Sequence, residues 1–262
     1  MEMMLVLAVA LQGDPSAGVG LDARLNEPVP MGAVFTNDVG RVVRLEECLD
    51  GKPTLLVLVY YRCPMLCGEV LDGLVRSLRA LPLRPGRDFN VVAVSIDPRE
   101  PWDLAYLKKE AVVRRYGRAG SEGGWHFLVG GEGSIRTLAQ AVGFRYRYDE
   151  RTRQYAHAGG VMVITPEGRV ARYFYGIDYP PRDVRLGLVE AAQGKIAASA
   201  GDRVLLLCFR YDPATGRYSL AIWQAVRLGG IVTLAVLGGL VFFLRRRGRD
   251  SRFVIRNSSH VV

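Results

Sequence analysis

Two cysteines, Cys63 and Cys67, lie in the stretch YYRCPMLCGEVLDGL, directly after a continuous apolar run. Two thiolates at this spacing can chelate one soft metal ion or can form a disulfide; the alternative is a pair of ordinary buried thiols. The Cys-x-x-x-Cys loop leaves more room for a metal ion than the Cys-x-x-Cys loop of redox enzymes. The pair is therefore a candidate metal or redox site.

One of the three histidines can complete such a site. His157 is flanked by small residues in YAHAGG, and small neighbours let a loop approach a metal ion closely; an exposed loop histidine without a ligand role is the alternative. His260 lies in the C-terminal tail, and His126 alternates with apolar residues in GWHFLVG, which predicts that it faces outward from a strand. Two thiolates select copper(I) or zinc, and an added imidazole lets a site hold copper in either oxidation state.

The elements next to the cysteines are two buried strands and a helix. PTLLVLVYY and FNVVAVSID are continuous apolar runs rich in β-formers, which predicts buried strands. Apolar residues keep helical spacing from Glu69 to Leu81, so the cysteines are predicted to lie on one face where a strand gives way to a helix. Backbone N–H groups at a helix N-terminus stabilise thiolate.

The remaining pattern completes an α/β domain. AVFTNDVGRVVRLEECL predicts a hairpin that turns at residues 37–40, and HAGGVMVITPEGRVARYFYG predicts another that turns at residues 166–168. WHFLVG predicts a short strand, and helices are predicted in PWDLAYLKKEAVVRRYG, SIRTLAQAVG and PPRDVRLGLVEAAQGKIA. Strands that alternate with helices and close with an antiparallel hairpin indicate a mixed sheet flanked by helices.

Asp97 and the tyrosines Tyr60 and Tyr61 are predicted to lie close to the cysteines. Asp97 ends the second buried strand, where it would either tune a metal ligand from outside the ligand set or cap the turn at Pro98. The tyrosines follow the first buried strand and would shape the floor of a pocket or fill the core.

Charge is concentrated at the C-terminus. The chain has 262 residues, of which 49% are hydrophobic and 23% charged, so it can bury a core. Its net charge is +9, but residues 245–262 contain six arginines and one aspartate, and no arginine-aromatic patch stands out elsewhere. We therefore predict no nucleic-acid partner.

An uncharged segment precedes this basic tail. LGGIVTLAVLGGLVFFL separates Arg227 from Arg245, and its length is at the short end of the roughly 17–25 residues that a membrane helix needs. Because RRRGR follows at once, the positive-inside rule predicts a transmembrane helix over 227–244 and a cytoplasmic tail over 245–262. The main domain would then lie on the periplasmic or extracytoplasmic side of the cytoplasmic membrane. A buried core helix is the alternative.

The N-terminal segment and two further cysteines have several interpretations. MMLVLAVAL has the length of a signal-peptide core, so residues 1–18 are predicted as a signal peptide, atypical because the segment carries Glu2 and no basic residue. Either it is cleaved or the true start lies elsewhere. Residues 201–226 are interpreted as a juxtamembrane connector. Cys48, which ends the first predicted hairpin, and Cys208 would pair as a structural disulfide or stay separate thiols, or Cys208 would serve a second metal.

Three stretches together resemble the Sco/SenC family: YYRCPMLCGEVLDGL, VVAVSIDPRE and YAHAGGVMVITPEGRVARYFYG, within roughly residues 29–198. The resemblance implies a membrane-tethered, thioredoxin-like domain over residues 21–200 that helps assemble the copper A centre of cytochrome c oxidase. It implies copper as the metal and Cys63, Cys67 and His157 as its ligands. It implies oxidase subunit II or another copper-accepting protein as the partner.

The chain departs from the family pattern in several places. Met65 stands where the family usually has aspartate, Gly68 stands where it has proline, and its second acidic residue after Asp97 is shifted or replaced by Glu100. The family's membrane anchor is usually N-terminal, whereas the anchor predicted here is C-terminal. These departures leave the three implied ligands intact.

Three alternative functions would use the same two cysteines. A copper metallochaperone requires His157 as well as the two thiols. A thiol–disulfide oxidoreductase that reduces the cysteines of the oxidase copper site requires only Cys63 and Cys67 as its catalytic pair. A peroxidase of the peroxiredoxin type is disfavoured by the cysteine spacing and by the metal-like histidine.

Overall fold

A computed structural model describes residues 18–63, 66–196, 209–212, 217–220, 230, 233–234 and 236–239, with backbone alone for residues 66, 67, 209–212 and 217–220. Its strands are β1 (Gly20–Leu21), β2 (Val34–Asn37), β3 (Val42–Arg44), β4 (Thr54–Val59), β5 (Asn90–Ser95), β6 (Trp125–Val129), β7 (Phe144–Asp149), β8 (Gln154–His157), β9 (Gly160–Ile164), β10 (Val170–Tyr175), β11 (Phe209–Asp212) and β12 (Arg217–Leu220). Its longer helices are α1 (Leu45–Leu49), α2 (Leu66–Arg79), α3 (Trp102–Tyr116), α4 (Glu132–Ala141) and α5 (Pro181–Ala192). The chain divides into two units, and elements α1–α5 and β1–β10 belong to the first, residues 1–204 and 211–218.

A mixed sheet forms the centre of this first unit. Its strand order is β10-β9-β4-β5-β6-β2-β3, in which β4, β5 and β6 are parallel and the other pairs are antiparallel. Every residue of β4 and β5 is buried, as the continuous apolar runs predict. Helix α2 contacts α3 and α5, α3 contacts β6, and α5 contacts β9 and β10. The predicted α/β domain with a mixed sheet is confirmed.

The first predicted hairpin is correct only as far as Arg44. Strands β2 and β3 pair around the expected turn, but the residues that follow form the short helix α1. The side chain of Glu47 accepts the backbone N–H of Arg44 at 2.7 Å, which closes the start of the helix. Leu45, Cys48 and Leu49 are buried at the i, i+3 and i+4 spacing of one helix face.

Cys48 is therefore a core residue of α1 rather than the end of a hairpin strand. Its thiol is free, and burial, together with the nearby negative charges of Glu47 and Asp38, raises its pKa to about 12. A thiol held in this protonated form is a poor nucleophile and a poor metal ligand. Cys208, its predicted alternative partner, lies outside the described residues.

A second small sheet was not predicted from the sequence. Strands β7 and β8 form a hairpin in which Tyr146 faces His157, and β1 pairs with the other edge of β7. Between β7 and β8 the chain reverses direction, with Arg153 in the left-handed region at φ 56°. His157 thus ends a strand and does not lie in an open loop.

Most of the predicted membrane-associated regions lie outside the described residues. These are residues 1–17 of the predicted signal peptide, most of the span 227–244 and the whole tail 245–262. Within the predicted connector, β11 and β12 form a two-stranded sheet. None of the helices described here has the length and apolar character needed to cross a membrane.

Candidate functional site

Cys63 lies in a tight turn that follows the buried strand β4. The backbone N–H of Cys63 donates to the carbonyl of Tyr60 at 3.3 Å, and the N–H of Ile96 donates to the carbonyl of Val59 at 2.8 Å. The Cys63 side chain is half-buried and packs against the hydrophobic core. The turn therefore holds a partly accessible thiol at the carboxyl end of a central strand.

The prediction that both cysteines lie on one face of a helix is wrong for Cys63. Helix α2 begins at Leu66, so Cys63 precedes it, and only Cys67 is a helical residue. The reason is that the backbone before Cys63 is committed to the turn described above, which is not helical. The side chain of Cys67 and all of Pro64 and Met65 lie outside the described part of the chain.

Three loops meet at one edge of the main sheet. Strands β4 and β5 are parallel, with Val59 opposite Ser95, so the turn with Cys63 and the loop with Asp97 leave the sheet side by side. Strand β9 runs antiparallel to β4, with Leu56 opposite Met162, so the segment that leads from His157 into β9 enters at this same edge. The topology thus brings Cys63, Asp97 and His157 to one edge.

His157 is 5% exposed and its ring is held on several sides. The Tyr60 ring meets it edge-on at 5.9 Å between centroids, and the Phe144 ring lies 5.9 Å away. Its Nδ1 lies 3.0 Å from the carbonyl oxygen of Ala158. Because a carbonyl can only accept, this contact is a hydrogen bond only if Nδ1 carries a proton, and that tautomer leaves the lone pair on Nε2, the usual arrangement for a metal-ligating histidine.

The glycines after His157 serve chain packing. A Cβ added to Gly160 would lie 2.6 Å from a methyl group of Leu21 and 2.9 Å from the carbonyl oxygen of Phe174. A Cβ at Gly159 would lie 3.2 Å from the carbonyl oxygen of Gly176. These two glycines let the start of β9 pass close to the neighbouring backbone.

Asp97 is held by Arg99. The guanidinium of Arg99 donates to both carboxylate oxygens of Asp97, at 2.8 and 2.9 Å, and the Arg99 backbone N–H donates to Oδ1 at 3.0 Å. Burial acts to raise the pKa of Asp97, but these bonds outweigh burial, and the pKa lies below its ordinary value. Asp97 therefore closes the turn around Pro98, which was one of its two predicted roles.

The same arginine docks the β7–β8 hairpin against the loop after β5. Its Cζ lies 4.7 Å above the Tyr148 ring and 5.8 Å from the Tyr155 ring, and the Tyr155 ring is 5.6 Å from that of Tyr60. The strand that ends at His157 is thus fixed to the loops that carry Cys63 and Asp97. Sequence reasoning missed this aromatic cluster, although FRYRYD alternates aromatic and charged residues.

Glu100 is a site residue whose role sequence reasoning did not identify. It is 4% exposed, and its carboxylate accepts hydrogen bonds from the backbone N–H groups of Tyr61 at 2.8 Å and Arg62 at 2.7 Å. Glu100, which is shifted from the usual position of the family's second acidic residue, therefore contacts the turn that carries Cys63.

The donor set fits a soft metal ion as far as it is described. A cysteine sulfur and an imidazole Nε2 suit copper or zinc. Among the side chains that the structure describes, no three His, Cys, Asp or Glu residues form a group that could hold a metal ion. The side chain of Cys67, the third implied ligand, lies outside that set.

His126, which was predicted to face outward, is half-buried on β6. Burial and the positive charge of Lys109 lower its pKa to about 4, so the ring is neutral at neutral pH. It lies on β6, two strands away from β4 in the sheet, and has no contact with the turn that carries Cys63 among those described here.

The fold and the family are supported by comparison with known proteins. The structure matches a protein of Aquifex aeolicus with a TM-score of 0.57 and 24% identity, covering 66% of this chain and 97% of that one. It matches a SCO1/SenC family lipoprotein of Bacillus anthracis with a TM-score of 0.53 and 19% identity, covering 65% and 99%. It matches Arabidopsis thaliana ScoI, solved with copper bound, with a TM-score of 0.51 and 19% identity, again covering 65% and 99%. These matches show the thioredoxin-like Sco fold.

Sequence comparison gives the family directly. No curated protein sequence matches the chain significantly. The SCO1/SenC family profile, however, matches residues 33–188, a range that contains Cys63, Cys67, Asp97 and His157. It covers more than half of the 262 residues and every strand of the main sheet. This chain therefore belongs to the SCO1/SenC family.

Proposed function

We propose that this chain is a membrane-anchored copper metallochaperone for the copper A centre of cytochrome c oxidase. Copper is the cargo, and Cys63, Cys67 and His157 are its ligands. The acceptor is oxidase subunit II or another copper-accepting protein of that pathway.

One observation carries this proposal. The turn that bears Cys63 and the strand that ends at His157 meet at one edge of the sheet, where the Tyr60 ring packs on the His157 ring. Its Nδ1 lies 3.0 Å from the carbonyl oxygen of Ala158, and a hydrogen bond from Nδ1 to that oxygen suits Nε2 for metal ligation. Family membership supports the assignment, and the copper bound to Arabidopsis thaliana ScoI supports copper as the metal.

A second candidate is a thiol–disulfide oxidoreductase that reduces the cysteines of the oxidase copper site. The half-buried Cys63, just before helix α2 in a thioredoxin-like fold, favours it, since dithiol exchange needs an accessible sulfur at such a corner. The two functions differ in their use of the imidazole.

We expect the full chain, with its thiols reduced, to bind one copper(I) ion per chain. Two thiolates and one imidazole form a three-coordinate soft site, whereas Cys48, with its raised pKa, would add no second one. Titration against a competing copper(I) chelator measures the stoichiometry. Substantially less than one tightly bound ion per chain would contradict the metallochaperone proposal.

The anchor is proposed from the sequence alone. Residues 227–244 would span the cytoplasmic membrane once, with the main domain on the periplasmic or extracytoplasmic side and residues 245–262 in the cytoplasm. A membrane-impermeant thiol reagent should then label Cys63 in intact, reductant-treated cells, while external protease should leave the basic tail uncut. Labelling of Cys63 only after lysis would overturn this orientation.

A further inference from the structure

Glu100 is a buried carboxylate next to the proposed site but outside its ligand set. Only 4% of it is exposed, and it follows β5 in the loop that also contains Asp97. A glutamate is rarely buried to this extent unless its oxygens are fully engaged. Its hydrogen-bond partners therefore indicate its role.

Three donors converge on its two oxygens. Oε1 accepts the backbone N–H of Arg62 at 2.7 Å. Oε2 accepts the backbone N–H of Tyr61 at 2.8 Å and the hydroxyl of Ser95 at 2.6 Å. A carboxylate can accept all three bonds, whereas an amide at this position would turn an N–H group toward another donor.

Two of these donors are the middle residues of the turn that positions Cys63. Tyr61 and Arg62 lie between Tyr60, whose carbonyl accepts, and Cys63, whose N–H donates and closes the turn. Neither middle N–H has a strand or helix partner in this turn, so Glu100 supplies the acceptor that a buried turn requires.

The network also ties the turn to the loop after β5. Ser95 Oγ donates to Glu100 and accepts the backbone N–H of Asp97 at 3.1 Å. The carbonyl of Val59, just before the turn, accepts the N–H of Ile96 at 2.8 Å. The backbone that leads to Cys63 is therefore held by side-chain and main-chain bonds from one neighbouring loop.

We propose that Glu100 is a positioning residue that fixes the Cys63 turn and thereby sets where the Cys63 sulfur lies. As far as copper is concerned, this inference rests on the proposed function. Residues that orient metal ligands without binding the metal typically change metal affinity by roughly 10–100-fold when they are replaced. Glu100 would act in this way through the main chain.

The substitution Glu100→Gln tests the proposal in the full chain. The glutamine amide accepts only through its oxygen. Its NH₂ group then faces the backbone N–H of Tyr61 or Arg62, so that hydrogen bond is lost and the turn loosens. We expect the peptide that contains Tyr61 and Arg62 to exchange its amide hydrogens faster, and copper(I) affinity to fall about 10-fold. In a Cys67→Ser background, the rate of Cys63 alkylation should also change.

Two further variants separate positioning from folding. Ser95→Ala removes one of the three donors and leaves both backbone bonds, so its effect on exchange and affinity should be smaller than that of Glu100→Gln. Asn90→Ala is the matched control: Asn90 is 2% exposed and donates to the carbonyls of Cys48 and Leu49, both at 3.0 Å, away from the turn. It should lower stability and leave copper affinity within about twofold of the wild type.

The outcomes distinguish this inference from the proposed function. Faster turn exchange and weaker copper binding in Glu100→Gln, but not in Asn90→Ala, would support the positioning role. Equal copper affinity in both variants, with unchanged turn exchange, would overturn it. If the wild-type chain binds no copper, the proposed function fails, and turn exchange and Cys63 alkylation still decide whether Glu100 positions the thiol. If Glu100→Gln does not fold, the Ser95→Ala variant decides by the same two measurements.

Discussion

Replacing Cys63 and Cys67 together by serine should remove tight copper binding from the chain. Copper(I) prefers soft thiolate ligands, and a serine hydroxyl is a hard, neutral donor. Structural zinc sites with four ligands bind with roughly 10–16 kcal/mol, or about 3 kcal/mol per ligand, and we take the same scale for copper(I). Each single variant should therefore lose roughly 100-fold in affinity and the double variant at least about 10,000-fold, as measured by competition with a copper(I) chelator.

A third cysteine in the described part of the chain provides the control for this experiment. Cys48→Ala also removes one thiol, but the residue is buried in α1 and its raised pKa keeps it protonated. This variant should be less stable, because it leaves a small cavity, and should still bind one copper ion. Stoichiometric copper in the double variant Cys63→Ser, Cys67→Ser would overturn the ligand assignment.

The elements that position the thiols could be predicted because their patterns are local. The runs that become β4 and β5 are apolar apart from Thr54, Asn90 and Ser95 at their ends, and short apolar runs rich in β-branched residues are typical of strands covered on both faces. Two parallel strands joined by a helix bring their carboxyl ends to one edge, so the sequence also indicated that Cys63 and Asp97 would be neighbours.

The environment of His157 was harder to predict because it depends on contacts between distant segments. Strand β7 alternates aromatic and charged residues: Phe144 is part of the core, whereas Tyr146 and Tyr148 pack on Tyr155 of β8, and Arg99 lies over the Tyr148 ring. This hairpin makes His157 a buried strand residue, whereas its small neighbours in the sequence suggested an open loop.

The position of Cys63 depends on a contact that no local pattern indicates. The helical spacing from Glu69 onward correctly predicts α2, but it cannot show whether the helix extends back to Cys63. The turn before Cys63 instead contains a long-range bond: Glu100, which lies 39 residues after Tyr61, accepts its N–H. Periodicity reports which face of an element is apolar and carries no information about such a long-range bond.

The substitution His157→Ala separates copper delivery from thiol reduction, because it removes one implied ligand and keeps both thiols. If the chain delivers copper, this variant should lose stable copper(II) binding and lose roughly 100-fold in copper(I) affinity. Cells that carry it at normal expression should then fail to assemble active cytochrome c oxidase. If the chain is a reductase, the dithiol can still cycle without the imidazole, and oxidase activity should persist.

We expect the His157→Ala variant to lose oxidase activity, because several contacts hold the His157 ring in place. Its ring is buried between Tyr60 and Phe144, and its Nδ1 lies 3.0 Å from a carbonyl oxygen, an arrangement with little purpose in an enzyme that needs only two thiols. His126→Ala is the matched control, since it removes a half-buried histidine from β6. Circular dichroism and a count of reactive thiols equal to that of the wild-type chain would show that the His157→Ala chain is folded. Near-wild-type oxidase activity in that folded variant would identify thiol reduction as the function.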